Sequence, residues 1–191
     1  MILGITGPTG SGKTTLLNTI RSFGGTVLDC DAIYHELLAT NEGMLRAIEK
    51  RFPGVLVDGT LQRKKLGAIV FSDPAALQDL NTITHAAVKQ VVLRELSKKP
   101  TLAAIDAIGL FEGGLAELCD TTVAVIAPEE DRIRRIMARD GISEEYARSR
   151  VAAQRSGAWF AERCDLVLEN SGTPADCEAA CLAFLRTLGI M

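Results

Sequence analysis

The chain has 191 residues, of which 47% are hydrophobic and 24% are charged, and its formal net charge is −3. This length suits one domain with a sizeable core, and the composition is ordinary for a globular protein. The weak negative charge gives no electrostatic reason to expect nucleic acid or an anionic membrane surface as the main partner.

Targeting signals and cysteine usage point to the cytoplasm. The chain shows no basic segment followed by a long apolar run, so we expect no signal peptide. It has no stretch near the roughly 18 consecutive apolar residues of a membrane span. Its five cysteines form no CxxC pair, which favours small buried residues in a reducing compartment.

Strand and helix patterns alternate along the chain. Residues 2–6 predict a short buried strand, and a glycine-rich loop and a helix follow them. Further β-rich runs lie at 26–28, 102–105, 122–127 and 166–168. Because these runs are continuously apolar and are separated by helical stretches, they predict a parallel sheet covered on both faces. The expected fold is α/β, with a P-loop NTPase-type parallel sheet of five strands.

Two longer segments interrupt this alternation. Residues 33–100 predict a helical insertion that binds substrate, within which Asp73-Pro74 starts a helix. Residues 129–163, here called the lid segment, predict a charged helical excursion with a turn at Asp140-Gly141 and a cap at Ser143. We therefore expect one kinase domain whose sheet core comprises about 1–32, 101–128 and 164–191.

The strongest motif is the stretch Gly7-Pro8-Thr9-Gly10-Ser11-Gly12-Lys13-Thr14. It matches G-x-x-x-x-G-K-[ST] at every fixed position, between a predicted strand and a predicted helix. Glycines let the backbone turn its N–H groups toward phosphate oxygens, and the helix N-terminus adds partial positive charge. We expect Lys13 to bridge the outer phosphates of ATP and the Thr14 hydroxyl to ligate Mg²⁺. The predicted phosphate contacts are Gly10, Ser11, Gly12, Lys13 and Thr14.

Acidic residues follow the second and third strands of the predicted core. Asp29 and Asp31 should point to the same side of an extended segment, with Cys30 turned away. An acid there can accept the proton of an attacking hydroxyl or hold Mg²⁺ through water, although Asp31 could instead cap a helix. Asp106 is the predicted second Mg²⁺ anchor, or else a strand-end turn residue. Glu112, in the same crevice-facing loop, can bind a substrate hydroxyl.

The lid segment is rich in arginine and contains no lysine. Eight of the 14 arginines fall between 132 and 163, and the planar guanidinium suits bidentate phosphate binding. Arg139, which shares a helix face with Arg135, is the first candidate for stabilising charge on the transferred phosphoryl group. Arg150 and Arg155 can return toward the phosphates on a second helix. Most of the other arginines should be solvated or paired with Glu129, Glu130 and Glu144.

In their order and spacing, these motifs resemble the dephospho-CoA kinase family along nearly the whole chain. The resemblance rests on 4–15, Asp29-Cys30-Asp31, 59–71, 80–85, 105–112, Arg139-Asp140-Gly141, Gln154-Arg155 and Asn170-Ser171-Gly172. It implies that Asp31 is the catalytic base and that the nucleotide-binding set extends to Thr15. It also implies that Arg63 and His85 contact the acceptor. The implied reaction moves the ATP γ-phosphoryl group to the ribose 3′-hydroxyl of dephospho-CoA, with Mg²⁺, in the last step of coenzyme A biosynthesis.

The chain departs from the family pattern at several positions, and most of them cluster where the acceptor should lie. They are Pro8, Gln62, Ala86, Lys89, Ile108 and Gly109. The main alternative is another small P-loop nucleoside or nucleotide kinase. A tRNA prenyl transferase, whose loop also opens with Gly-Pro-Thr, would need a longer chain and an RNA-binding surface. A non-catalytic nucleotide-binding regulator would need neither an acid at Asp31 nor a lid.

Overall fold

The computed structural model describes residues 1–190. Its strands are β1 (Ile2–Thr6), β2 (Thr26–Asp29), β3 (Leu56–Val57), β4 (Thr60–Leu61), β5 (Ala103–Asp106), β6 (Thr121–Ile126) and β7 (Leu166–Glu169). Its α-helices are α1 (Lys13–Ser22), α2 (Cys30–Thr40), α3 (Glu42–Arg51), α4 (Arg63–Val70), α5 (Pro74–Leu96), α6 (Glu129–Asp140), α7 (Glu144–Ala152), α8 (Gly157–Ala161) and α9 (Pro174–Thr187). A 3₁₀ turn spans Ala116–Leu118.

A five-stranded parallel sheet forms the centre of the fold, in the order β2-β5-β1-β6-β7. Because the strands run in one direction, their carboxyl ends meet at one edge of the sheet. Asp29 at the end of β2 is directly opposite Asp106 at the end of β5. The α/β class and the parallel five-stranded sheet predicted from the sequence are therefore confirmed.

Helices cover both faces of this sheet, since consecutive strand residues point to opposite sides. Ala104 belongs to the core that α1 and α9 close, where Ile20 and Leu185 are fully buried. Ile105 belongs to the second core, which is built with side chains of the 33–100 insertion such as Val92. The insertion and the sheet thus share one continuous apolar core.

The 33–100 insertion contains helices, as predicted, and also a short hairpin that the sequence patterns did not indicate. In this hairpin Leu56 of β3 is paired with Leu61 of β4 in an antiparallel arrangement. Two residues per strand are too few for an alternating pattern to stand out. The predicted helix start at Asp73-Pro74 is confirmed, because the Asp73 side chain accepts a hydrogen bond from the Ala75 N–H at 2.8 Å.

The expectation for Asp29-Cys30-Asp31 was wrong in its backbone conformation. The segment is not extended, because helix α2 begins at Cys30 and Asp31 lies in its first turn. The cap is Asp29, not Asp31: its side chain accepts a hydrogen bond from the Ala32 N–H at 2.9 Å. A carboxylate that satisfies a free N–H in a first helical turn stabilises the helix start, and here it marks the change from β2 to α2.

The lid segment contains α6 and α7, which pack through a small apolar cluster. The cluster consists of Ile133, Ile136, Ala147 and Val151. Gly141 ends α6 in the left-handed region with φ 65°, and Ser143 caps α7 by accepting from the Tyr146 N–H at 3.3 Å. The predicted turn and cap are both present. No helix within residues 1–190 is long and apolar enough to cross a membrane.

Candidate active site

The loop between β1 and α1 has a backbone shape that only glycine permits at two positions. Gly7 has φ 141°, and a Cβ there would lie 2.1 Å from the Val125 carbonyl oxygen. Gly12 has φ 91°, and a Cβ there would lie 1.8 Å from the Asn170 Nδ2. Because each added methyl would collide with a neighbouring strand end, both glycines are needed for the loop to curl against the sheet edge.

Helix α1 starts at this loop without a side-chain cap. Its N-cap is Gly12 in the left-handed conformation, and no side chain accepts from its first turn. The free N–H groups and the helix dipole therefore favour an anion at this end. The Lys13 ammonium group donates to the Gly7 carbonyl oxygen at 2.8 Å. The ammonium group thus lies beside the loop with which it would bind phosphate.

A polar cleft of about 500 Å³ opens in front of the loop. Its walls come from three parts of the chain: the loop, the carboxyl ends of β2 and β5, and the lid segment. The charged side chains that line it are Lys13, Asp29, Asp31, Asp106, Arg135, Arg139 and Arg150. The structure therefore brings the predicted loop lysine, the acids and the lid arginines to one cavity.

A second cavity, of about 220 Å³, lies between α2, α5 and the loop after β5. Its walls are largely apolar, with Leu80, Val88 and Leu115 among them, and His85 supplies a polar group. Asp31 lines both this cavity and the polar cleft. An outer groove of about 560 Å³ continues past His85 toward Glu112. Asp31 is thus the acid that stands where the two cavities meet.

Burial shifts the pKa of two charged groups in the cleft. It raises the pKa of Asp106 from 3.8 to about 6, an effect that Lys13 opposes and that Asp29 and Asp31 increase. Burial also lowers the pKa of Lys13, although Asp106 and Asp31 oppose that change. The pKa values of Asp106 and Lys13 therefore depend on each other. An anion bound beside Lys13 would balance positive charge in the cleft.

The lid arginines reach the cleft in an ordered arrangement. The Arg139 Nε donates to the Asp140 Oδ1 at 2.7 Å, and the Arg150 Nη1 donates to the Asp140 Oδ2 at 2.6 Å. These hydrogen bonds lower the pKa of the Asp140 carboxyl well below its ordinary value. Arg135 donates to the Gly10 carbonyl oxygen at 3.3 Å. One carboxylate thus holds two guanidinium groups side by side at the cleft.

The donors for a magnesium ion are oxygen atoms of the cleft. Thr14 offers an exposed hydroxyl and Asp106 a carboxylate, and both line the cavity in front of the loop. Within residues 1–190, no group of three or more His, Cys, Asp or Glu side chains could hold a metal ion by itself. Mg²⁺ commonly uses one or two protein oxygens and completes its shell with phosphate and water. The residues therefore fit an ion that arrives with a nucleotide.

Several predicted residues lie outside the polar cleft. Thr15 lines a groove between α1 and α9, and Glu112 lines the outer groove. Arg63 begins α4 as an exposed residue, and its charge opposes the burial that raises the pKa of Tyr34 in the second cavity. Arg155 packs over the ring of Trp159, with 5.3 Å from its Cζ to the ring centroid.

Comparison with known proteins decides the family. The family model described as dephospho-CoA kinase matches residues 1–176. A curated dephospho-CoA kinase of Thermus thermophilus is 39% identical over 189 residues, which are 98% of this chain and 92% of that protein. The chain belongs to the dephospho-CoA kinase family.

Solved structures agree with this membership. The crystal structure of TT1252 from Thermus thermophilus superimposes with a TM-score of 0.80 at 39% identity, covering 98% of this chain and 97% of that one. A dephospho-CoA kinase from Campylobacter jejuni gives a TM-score of 0.69 at 27% identity, covering 100% and 98%. Membership in the dephospho-CoA kinase family makes the chain an ATP-dependent kinase.

Some residues of this dephospho-CoA kinase family site were not predicted from the sequence. Thr9 lines the polar cleft, and Asn81, Tyr34 and Cys30 line the second cavity. Burial raises the pKa of the Cys30 thiol to about 12, so this side chain is a neutral wall residue. Thr9 stands at a variable position of the loop motif, so the motif gives no signal for it. Cys30, Tyr34 and Asn81 become neighbours only because α2 packs against α5, which no local pattern indicates.

Proposed function

We propose that the protein transfers the γ-phosphoryl group of ATP to the ribose 3′-hydroxyl of dephospho-CoA, with Mg²⁺, and so forms coenzyme A. The observation that carries this proposal is the position of Asp31 in the walls of both cavities. A kinase needs an acceptor hydroxyl in line with a terminal phosphate and beside a proton acceptor. A carboxylate shared by a phosphate cleft and a second, largely apolar cavity meets that need.

The phosphates of ATP would lie along the loop and the first turn of α1. The predicted phosphate contacts there are the N–H groups of Gly10, Ser11, Gly12, Lys13 and Thr14, of which the Ser11 N–H donates to the Pro8 carbonyl oxygen at 3.3 Å. The Lys13 ammonium group would leave the Gly7 carbonyl oxygen for the outer phosphates. Arg139 would stabilise the charge that develops on the transferred group, since its guanidinium already lines the cleft.

The acceptor would place its ribose in the second cavity, with the 3′-hydroxyl at Asp31 and the remainder toward His85. The hydroxyl oxygen forms a bond to the γ-phosphorus while the bond from that phosphorus to the bridging oxygen of ADP breaks. The Asp31 carboxylate accepts the hydroxyl proton. Mg²⁺, held by Thr14 and Asp106, would neutralise phosphate charge when bound. The outer groove would take the rest of the acceptor, with Glu112 in its wall.

Both proposed substrates are small molecules, and the proposal includes neither nucleic acid nor membrane as a partner. A reaction that makes coenzyme A from soluble precursors fits the cytoplasm. Two observations support this: the sequence has no long apolar stretch, and its five cysteines are free in the structure.

A coupled assay of ADP release tests the acceptor. Dephospho-CoA is compared with nucleosides and nucleoside monophosphates at the same ATP and Mg²⁺ concentrations. We expect kcat/KM for dephospho-CoA to exceed the others by at least about 100-fold, because nucleosides and nucleoside monophosphates lack the part of dephospho-CoA that would fill the outer groove. Comparable turnover of an ordinary nucleotide would instead support the general nucleotide kinase.

Replacement of Asp31 by Asn tests the proton acceptor. The variant keeps the size of the side chain but cannot accept the proton, so kcat should fall about 100-fold or more while ATP affinity changes little. Asp58→Asn is the matched control, since Asp58 is exposed in the turn between β3 and β4. Near-normal kcat in Asp31→Asn would remove this residue as the base.

A further inference from the structure

Thr9, in the middle of the phosphate loop, is bonded to two parts of the lid segment, α6 and the stretch after α7. Its N–H donates to the Gln154 Oε1 at 2.9 Å, and its Oγ1 accepts from the Gln154 Nε2 at 2.7 Å. Its carbonyl oxygen accepts from the Arg132 Nε at 2.9 Å. Every polar group of this one loop residue is therefore bonded to the lid segment.

These two partners lie near the two ends of the α6–α7 pair of the lid segment along the chain. Arg132 lies in the early part of α6, and Gln154 follows the end of α7 at Ala152. The Arg132 side chain is buried, and its Nη2 also donates to the Gln154 Oε1 at 3.4 Å. The start of α6 and the stretch after α7 are thus joined to the loop, whereas Arg139 lies in the last turn of α6, beside the α6–α7 turn.

Glutamine has the hydrogen-bonding groups that this position requires. Its amide oxygen accepts from the Thr9 N–H while its amide nitrogen donates to the Thr9 hydroxyl. A purely apolar residue of the same length would leave the partly buried Thr9 N–H without its partner. None of these contacts requires ATP, so the loop is held in one shape before the nucleotide arrives.

We infer that Gln154 is a positioning residue that orders the phosphate loop through Thr9 and so raises the affinity for ATP. This inference rests on the proposed binding of ATP at that loop. A loop that is already ordered loses less conformational entropy on binding. The second cavity is lined by α2, α5 and the loop after β5, so acceptor binding should not depend on Gln154. The effect should therefore fall on ATP and spare dephospho-CoA.

The test is a double-mutant cycle on the full-length protein. Thr9→Val, Gln154→Met and the double variant are compared in kcat, in KM for ATP and in KM for dephospho-CoA. Each single variant should raise KM for ATP about 5-fold or more, as expected for one or two lost hydrogen bonds. The double variant should be no worse than Gln154→Met alone, because the hydroxyl contact that Thr9→Val removes is among the contacts that Gln154→Met removes. KM for dephospho-CoA should stay within about 2-fold.

Controls separate this role from general damage to the fold. Gln90→Met makes the same change at an exposed position of α5 and should leave KM for ATP unchanged. Thr9→Ser keeps the hydroxyl and should recover most of the affinity lost in Thr9→Val. If Gln154→Met does not fold, the comparison of Thr9→Val with Thr9→Ser still decides the question, since both keep the lid segment intact.

Two results would overturn the inference. One is a double variant whose KM for ATP rises by the product of the two single effects; the other is single variants whose KM for ATP equals that of the wild type. Calorimetry with a non-hydrolysable ATP analogue, without acceptor, measures the same cycle as binding constants. If the wild type binds the analogue but does not turn over dephospho-CoA, the proposed reaction fails while the role of Gln154 is still measured.

Discussion

The Asp29 carboxylate accepts a hydrogen bond from the Ala32 N–H at 2.9 Å, and this contact starts α2. It also fixes the position of Asp31 in the first turn of that helix, at the junction of the two cavities. The acid at position 29 is therefore placed to support the acid at position 31 through the backbone. The proposed role of Asp31 as the base therefore depends on the helix start that Asp29 caps.

Replacement of Asp29 by Ala should affect stability and turnover together. The lost cap should lower the free energy of unfolding by about 1 kcal/mol, and kcat should fall because the first turn of α2 frays around Asp31. Urea unfolding and steady-state kinetics measure both effects. Asp29→Asn, which can still accept from the Ala32 N–H, should keep most of the stability. Equal stability of Asp29→Ala and the wild type would contradict this account.

Removing the charge of Asp106 should stabilise the folded protein. Its folded pKa of about 6 lies above the ordinary 3.8, so the folded state binds a proton more tightly than the unfolded one. The penalty for the buried charge is absent below pH 3.8, grows as pH rises, and is complete above about 6. A shift of this size corresponds to roughly 3 kcal/mol. At pH 7.5, Asp106→Asn should therefore raise the free energy of unfolding by up to that amount, while activity is lost.

Denaturant unfolding of both proteins at several pH values checks this prediction. The difference in stability between Asp106→Asn and the wild type should shrink toward zero below about pH 3, where the carboxyl is largely protonated in both states. Asp120→Asn, at an exposed position, provides a comparison variant with the same chemical change. A destabilised Asp106→Asn at pH 7.5 would show that attraction to Lys13 outweighs the cost of burial.

Asp140 should matter for turnover and little for stability. Asp140→Asn removes the charge that holds Arg139 and Arg150 together, so the two guanidinium groups become disordered before ATP binds. We expect kcat to fall about 10-fold because the transition-state contacts are no longer preorganised. The thermal midpoint should hardly change, since exposed ion pairs contribute little to folding.

A second exposed ion pair supplies the control for Asp140. Glu130 is paired with both terminal nitrogens of Arg148 at 2.8 and 2.9 Å, outside the polar cleft. Glu130→Gln should therefore leave kcat close to the wild-type value. A loss of kcat in Glu130→Gln equal to that in Asp140→Asn would mean that general rigidity of the lid segment, and not the orientation of the two arginines, sets the rate.

The two histidines of the chain allow a matched test of the second cavity. His85 lines it, whereas His35 is exposed on α2. His85→Ala should raise KM for dephospho-CoA about 5-fold or more, the effect of one lost hydrogen bond, and leave KM for ATP unchanged. His35→Ala should change neither constant. If His85→Ala instead raised only KM for ATP, the assignment of this cavity to the acceptor would be wrong.

The backbone conformation around Asp31 shows where sequence patterns stop being informative. Alternation predicted that Asp29 and Asp31 would share one side of an extended segment, yet α2 begins between them. Both a strand end and a helix start were compatible with the local residues. The choice depends on whether the Asp29 carboxylate reaches the Ala32 N–H, which requires the strand to end where β5 also ends, opposite Asp106.

The arginines of the lid segment illustrate the same limit. Composition alone indicated that this segment handles phosphate, and helical spacing related Arg135 to Arg139. Neither property distinguished Arg150, which lines the cleft, from Arg155, which packs over Trp159. The two differ because Arg150 is still within α7, whereas Arg155 lies beyond its end, where the chain has already turned toward α8.

Local chemistry in the sequence determined the parallel sheet and the phosphate loop. Continuous apolar runs indicate strands buried on both faces, and the spacing of the glycines before Lys13 and Thr14 indicates the phosphate loop. Each of these signals lies within a few residues. The tertiary structure alone decided which distant groups meet. Thr9 and Gln154 are 145 residues apart, and Asp31 reaches both cavities only after α2 packs against α5. These contacts depend on how helices and strands pack against one another, and local sequence patterns do not indicate that packing.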